Sequence, residues 1–163
     1  MNPNHTMTIR PYSAADKENV LHLLRLNTPR YFAPSEEGDL VHYLDHHAQH
    51  YFVVESEGTL LGCGGFNFSD DHTVGKISWD IFHPDHQGKG LGSALTRYRI
   101  EKLKEYDSVR IISVRTSQVA YQFYEKFGFR LQEVVKDYWA EGFDLYRMEF
   151  PVERGPRQPA PEQ

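Results

Sequence analysis

The stretch from Gly75 to Val114 limits this chain most. An apolar run, ISWDIF (77–82), stops just before Pro84, and Gly88, Gly90 and Gly92 then fall within five residues. A helical pattern follows from about Gly90 to Glu105, with Leu91, Ala94, Leu95 and Tyr98 on one face. Beyond it, Val109, Ile111, Ile112 and Val114 supply apolar side chains to both faces of a strand, which requires cover above and below. A strand, a glycine corner, a helix and a strand buried on both sides demand a sheet wrapped by helices rather than a helical bundle.

The flanking sequence fits that demand. MTIRPYS (7–13) reads as a short strand. SAADKENVLHLLRLN (13–27) reads as a helix with Ser13 as cap and Val20, Leu21 and Leu24 at helical spacing. SEEGDLVHYLDHH (35–47) is a second helix striped by Leu40, Val41 and Leu44. Strands are expected over 50–58, 59–70 and 75–84, the first two joined by the hairpin signal Glu57-Gly58. After the strand at 108–116, SQVAYQFYEKFG (117–128) reads as a helix ended by Gly128, a position suited to a left-handed cap. Two last strands, 129–139 and 143–152, flank a turn at Ala140 to Gly142. The fold class expected is mixed α/β: a central mixed sheet of about seven strands with helices on both faces. A single domain is expected over 7–152, with a flexible N-terminus at 1–6. The tail, 153–163, holds three prolines and almost no apolar surface, and is expected to be disordered.

Lys and Arg number 18 against 23 Asp and Glu, for a net charge of −5, which argues against duplex nucleic acid as a partner and mildly favours a basic amine. No apolar run approaches the length of a membrane span, and no secretory segment is evident at the N-terminus. The single cysteine, Cys63, cannot form an intramolecular disulfide, which fits a reducing compartment; the expected location is the cytoplasm.

The glycine corner has a chemical reading. A helix start presents unpaired N–H groups and a partial positive charge, and bare backbone lets an anion approach them closely. A flexible turn before a capped helix is the plain alternative. Two phosphate motifs fail here: Lys89 is followed by Gly90 where the Walker pattern needs Ser or Thr, and neither register of the dinucleotide pattern finds its last glycine, meeting Ser93 or Leu95 instead. What fits is Gln-x-x-Gly-x-Gly, Gln87-Gly88-Lys89-Gly90-Leu91-Gly92, preceded by His83-Pro84-Asp85.

In that pattern the sequence resembles the GNAT superfamily of acyl-CoA-dependent N-acetyltransferases. A second resemblance begins 24 residues beyond Gly92, where TSQVAYQFYEKFGF (116–129) is similar to the family's later strand-helix motif. The two motifs span about 76–130, and the element order extends the likeness over about 7–152. The resemblance implies acetyl-CoA as co-substrate, with no metal, and a splayed central strand pair in which the strand ending at His83 diverges from that of Val109–Val114. It implies a pantetheine arm bonded to the backbone of Asp80, Ile81 and Phe82, and a diphosphate on the N–H groups of Gly88, Lys89, Gly90, Leu91, Gly92 and Ser93, beside Gln87. Ser117 stands where the family commonly has Asn reaching the pantetheine; capping the next helix is its other reading.

The implied reaction is direct attack of an amine on a thioester. Tyr124 matches the motif tyrosine that acts as general acid at the cofactor sulfur, since a phenol with a pKa of about 10 is protonated at neutral pH; core packing is its bland reading. An N–H near Ile81 or Phe82 is expected to hold the oxyanion. Where family members often carry a basic glutamate, this chain has Lys76 and Ser113. Asp80 is the nearest carboxylate, expected to share a side of its strand with Ser78 and Phe82 opposite Trp79 and Ile81; it reads as base, ammonium anchor or structural acceptor, with water as the rival base. Tyr31, Phe32 and Tyr138, with Glu36, Glu37, Glu141, Asp144 and Trp139 nearby, are the acceptor candidates, suiting a cationic or aromatic amine. The acceptor is a small-molecule or peptide amine; neither nucleic acid nor membrane is expected as partner, and a homodimer is compatible. His42 and His46 share a helix face without completing a metal set. Cys63 reads as a packing residue, with an acyl-cysteine as its other reading. Two rival classes are a non-catalytic acyl-CoA sensor and a nucleotide-binding regulatory domain.

Overall fold

A computed structural model of the chain describes residues 7–86 and 90–154. Seven strands, β1 (Met7–Pro11), β2 (Tyr51–Ser56), β3 (Thr59–Phe68), β4 (Val74–Phe82), β5 (Ile111–Thr116), β6 (Arg130–Ala140) and β7 (Phe143–Pro151), form one sheet in the order β1-β2-β3-β4-β5-β7-β6. β4 and β5 pair in parallel, and every other neighbouring pair is antiparallel. Four helices cover the sheet: α1 (Lys17–Leu26), α2 (Glu36–His46), α3 (Leu91–Lys104) and α4 (Tyr121–Glu125). The mixed α/β architecture and strand count match the sequence expectation.

The helices divide the core in two. On the α3/α4 side, Leu91, Leu95, Leu103 and Tyr124 pack on Phe52, Phe66, Ile77, Ile112, Val114 and Met148. On the α1/α2 side, Val20, Leu24, Leu40 and Leu44 pack on Tyr51, Val53, Cys63 and Ile81. Each buried aliphatic side chain of this size contributes about 1.5–3 kcal/mol. The Glu57-Gly58 hairpin has both turn residues at positive φ, 51° and 78°, the twist that two-residue hairpins need. Gly128 sits at φ 101° after α4, as its sequence position suggests.

Three local expectations change. The helix expected from Ser117 begins only at Tyr121, because Ala120, at φ −127°, lies outside the helical region. In α2 the buried stripe is Leu40, Tyr43 and Leu44, with Val41 only partly covered. Arg154, inside the stretch expected to be disordered, donates from Nε to the Val109 carbonyl at 3.0 Å and from Nη1 to that of Lys104 at 3.3 Å. Residues 1–6 and 155–163 lie outside the described residues. Among the described residues no helix is long and apolar enough to cross a membrane.

β1 is tied to the first helical segment by Arg10, whose guanidinium donates to Asp16 at 2.8 and 2.9 Å and to Glu55 at 3.1 Å. Those bonds hold the Asp16 carboxyl below the usual carboxylate range. A depressed folded-state pKa adds stability above the unfolded pKa of about 3.9, and loses it as pH falls through the folded value. Thermal melts should therefore show a drop in midpoint below about pH 4 that Asp16→Asn reduces. At pH 7 the substitution should cost about 1 kcal/mol, or roughly 3 °C.

Candidate active site

The β4–β5 ladder has four rungs and ends at Ile77↔Val114. Beyond it β4 runs on to Phe82 beside β3, while β5 runs on to Thr116 beside β7. The strands part, and a cleft of about 1110 Å3 opens between them, crossing the sheet from the α3/α4 face to the α1/α2 face.

A bulge on β4 sets what points into the gap. Gly65 pairs with Ser78 and Cys63 with Ile81, so β4 carries one extra residue, with Trp79 at φ 51°. The Tyr51 hydroxyl donates to the Trp79 carbonyl at 2.8 Å and pins the irregularity. The expected alternation is thereby broken. Ser78 turns to the α2 side, where its hydroxyl and that of Tyr43 both bond Asn67 Oδ1. Asp80 shares the opposite, α3/α4 side with Phe82, but not with Ser78.

There Asp80 meets Arg99. The guanidinium donates to both carboxylate oxygens, and Tyr124 Oη donates to Asp80 Oδ2. Arg99 is fully buried and also donates to the carbonyls of Gly65 at 3.1 Å and Leu95 at 3.3 Å. Burial works against its charge, and Asp80 more than offsets this, so the guanidinium pKa is raised. Burial, with Asp80's charge adding to it and Arg99 opposing, pushes the Tyr124 phenol well above its ordinary range. Gly64 makes this packing fit: a Cβ there would collide with Asp80 Oδ1 and lie 2.9 Å from Arg99 Nη1. Sequence reading missed both residues. Arg99, in TRYRIEK, looks like a solvated helix position, and only its place one turn after Leu95 on the buried face hints otherwise.

Backbone polarity follows from register. His83 N–H donates to the Leu61 carbonyl at 2.8 Å, so alternation directs His83 and Ile81 toward β3 and Phe82 toward the cleft. On that alternation the Ile81 backbone is turned to β3, where it pairs with Cys63, though the residue also lines the cleft. Asn27, also missed from sequence, donates to the Phe82 carbonyl at 2.9 Å and leaves the amide of that residue facing the gap.

Helix α3 opens onto the same cleft. Its N-cap is Gly90 at φ 81°, with no side-chain cap and no acidic residue in the first turn. Gly90, Leu91, Gly92 and Ser93 line the cleft, and Phe123 lies about 3.1 Å from where a Cβ on Gly92 would stand. Gln87, Gly88 and Lys89 fall outside the described residues. Ser117 is buried at the cleft wall, and its carbonyl accepts from the amides of Ala120 and Tyr121.

The α1/α2 face supplies the other mouth. Tyr31, Phe32 and Glu36 line it, and Phe32 stacks on Trp79 with centroids 6.1 Å apart. Tyr138 does not line the cleft; it is exposed beside Arg115, and Trp139 occupies the rim instead. Glu37 pairs with Arg25 on the surface. Lys76 and Ser113 face each other across the last rungs. Cys63 is fully buried, and burial pushes its thiol up to about 12. Among the described residues no three His, Cys, Asp or Glu side chains converge as a metal set.

The family model described as acetyltransferase (GNAT) family matches residues 18–129. No curated protein matches the sequence. Among solved structures, Ard1 from Thermoplasma volcanium is 18% identical with a TM-score of 0.77, the match covering 91% of this chain and 99% of that one. The ribosomal-protein-S18-alanine N-acetyltransferase from Escherichia coli is 18% identical with a TM-score of 0.77, covering 95% and 99%. N-acetylglutamate synthase from Neisseria gonorrhoeae, complexed with coenzyme A and N-acetyl-glutamate, is 18% identical with a TM-score of 0.72, covering 91% of this chain and 36% of that one. At these identities the likeness is one of fold.

Gly64→Ala should disturb the site without replacing a titratable residue. Crowding the ion pair should destabilise the fold by about 1–3 kcal/mol in chemical denaturation. Any turnover should fall in the fraction that remains folded.

Proposed function

The chain belongs to the acetyltransferase (GNAT) family, and from that premise we propose that it moves an acetyl group from acetyl-CoA directly onto the nitrogen of a primary amine. One juxtaposition carries the reading: the open amide end of α3 and the Asp80–Tyr124 pair, held from behind by the buried Arg99, face one gap between two strands that have stopped pairing.

The lining suits such a co-substrate. A 14-residue helix whose first-turn amides lack a side-chain cap attracts a diphosphate. The cleft-facing edge of β4 offers strand-like hydrogen bonds to the amides of a pantetheine arm. The thioester then lies where the ladder opens, and the amine approaches from the α1/α2 face.

Three tasks fall to this chain. The Phe82 N–H points into the gap and stabilises charge on the carbonyl oxygen during attack. Tyr124 serves the leaving sulfur. Burial raises the Tyr124 phenol above its ordinary value of about 10, so it is protonated at neutral pH. The single phenol proton, which Asp80 Oδ2 accepts in the structure, passes to sulfur as the phenol oxygen takes the proton leaving the neutral amine's nitrogen; the new hydroxyl proton then turns back to Asp80, so no tyrosinate forms, nitrogen loses one proton and sulfur gains one. Asp80 holds the Tyr124 hydroxyl in place rather than acting as base, because protonating it would strip a fully buried Arg99 of its counter-charge. A thiol at about 12 disfavours an acyl-cysteine and favours direct transfer. A lone buried thiol also fits the cytoplasm as the setting we infer.

The test is thiol release from acetyl-CoA against a panel of amines, with binding measured by calorimetry. Binding without release from any amine would favour a sensor. Tyr124→Phe should lower kcat about a hundredfold while leaving the acetyl-CoA dissociation constant unchanged. Asp80→Asn should lower kcat without moving the midpoints of its pH profile; loss of an ionisation from that profile would make Asp80 the base.

A further inference from the structure

The acceptor mouth carries charge that nothing in the fold uses. On the α1/α2 face, β5 presents Ser113 and Arg115 and β7 presents Arg147, since Ile112, Val114 and Met148 point into the opposite core. Arg115 and Arg147 are direct cross-strand partners. Like charges in that relation destabilise a sheet. Arg147 is neutralised by Glu133 at 3.4 Å and Glu149 at 2.8 Å. Arg115 meets no carboxylate among the described residues, and neither does Lys76, which lines the same cleft from β4.

Arg115 is also built to receive something. Its guanidinium lies 4.9 Å from the Tyr138 ring centroid and 5.8 Å from that of Trp139. Trp139 is itself anchored by its indole N–H to the Thr116 carbonyl at 3.1 Å. Of the five guanidinium N–H donors, one finds an acceptor among the described residues, the Tyr138 hydroxyl. The rest are open to solvent, Arg115 being exposed, and form a planar fork beside Tyr138 and the anchored Trp139, the arrangement that takes a carboxylate in two parallel hydrogen bonds. Arg115 is moreover the first β5 residue past the last β4–β5 rung, so it stands where the strands open. In a protein of net charge −5, two unpaired cations at one mouth stand against the overall balance.

Resting on the transfer reading above, we propose that the acceptor is a small amino-carboxylate, an amine with a carboxylate a few atoms from the reacting nitrogen. Arg115 grips that carboxylate and Lys76 adds charge beside it. The stacked Phe32 and Trp79 wall takes an apolar side chain. A peptide N-terminus fits less well, because its own carboxyl is spent in an amide. This reverses the expectation of a cationic amine, which rested on acidic residues that the fold places elsewhere or, like Glu36, turns to capping the Ala33 N–H at 2.7 Å.

The experiment follows thiol release from acetyl-CoA with the twenty free amino acids, their primary amides and the matching decarboxylated amines, for the wild type, Arg115→Gln, Arg115→Lys and Lys76→Gln. In the wild type the best acid should exceed its amide and amine in kcat/KM by about tenfold to a hundredfold. Arg115→Gln should abolish that preference by raising the acid's KM, with the acetyl-CoA KM unchanged and the melting temperature no lower, since a like-charged cross-strand pair is removed. Arg115→Lys should restore part of it, and Lys76→Gln should weaken it. Equal or better turnover of amides or amines by the wild type overturns the proposal while the transfer reading stands. So does an Arg115→Gln variant that slows acid and amide alike, or that raises the acetyl-CoA KM. Release from no amine at all overturns the transfer reading itself, and this proposal with it.

Discussion

The ion pair between Arg99 and Asp80 is the contact around which the site is organised. Both groups are withdrawn from water, with side chains 0% and 9% exposed. Such a pair is poor evidence for stability, since desolvation offsets much of the attraction, but removing either partner strands a buried charge. The fold meets the pair's demands completely: Arg99 also donates to the Gly65 and Leu95 carbonyls, and Asp80 also accepts from Tyr124. Space for it exists because position 64 has no side chain and because the Trp79 bulge turns Asp80 toward α3. Helices α3 and α4 and strand β4 are thus joined at one polar point inside an otherwise apolar core.

The parting of β4 and β5 gives that point an outlet. Two parallel strands that pair for four rungs and then diverge leave backbone groups facing a gap. Exposed strand edges are normally covered or paired. Here Asn27 satisfies one carbonyl, and the neighbouring amide is left to whatever enters. The gap reaches both faces of the sheet, so the two mouths can differ: bare helix amides and small residues on one, aromatic rings and unpaired cations on the other. Such a division suits the reaction proposed above, in which an anionic thioester and an amine are recognised separately and meet at the last rung.

Much of this was legible in the sequence. Period-two and period-3.6 patterns placed all seven strands and the helices, because burial on one face leaves a mark on neighbouring residues. Gly90 and Tyr124 were readable because helix-start and motif spacing are local. Tyr138 lies against Arg115 while its neighbour Trp139 lines the cleft, and nothing local says which of two adjacent aromatics turns inward. Asp80 was found, but Arg99 and Gly64 beside it were not. The alternation that seemed to fix its side assumes an unbroken strand, and the extra residue at Trp79 depends on Tyr51, which is 28 positions away.

The sequence alone determined the element order, the glycine-opened helix start and the placing of a tyrosine on the helix after β5, since each depends on residues within a few positions of one another. Only tertiary structure decided that Arg99 lies under Asp80, that Gly64 makes room for both, and that among the described residues Arg115 meets no acid while Arg147 gains two. Those facts arise from strand register and helix packing between segments far apart in the chain. A charged residue carries the same letter whether its partner is a carboxylate, an aromatic shelf or water.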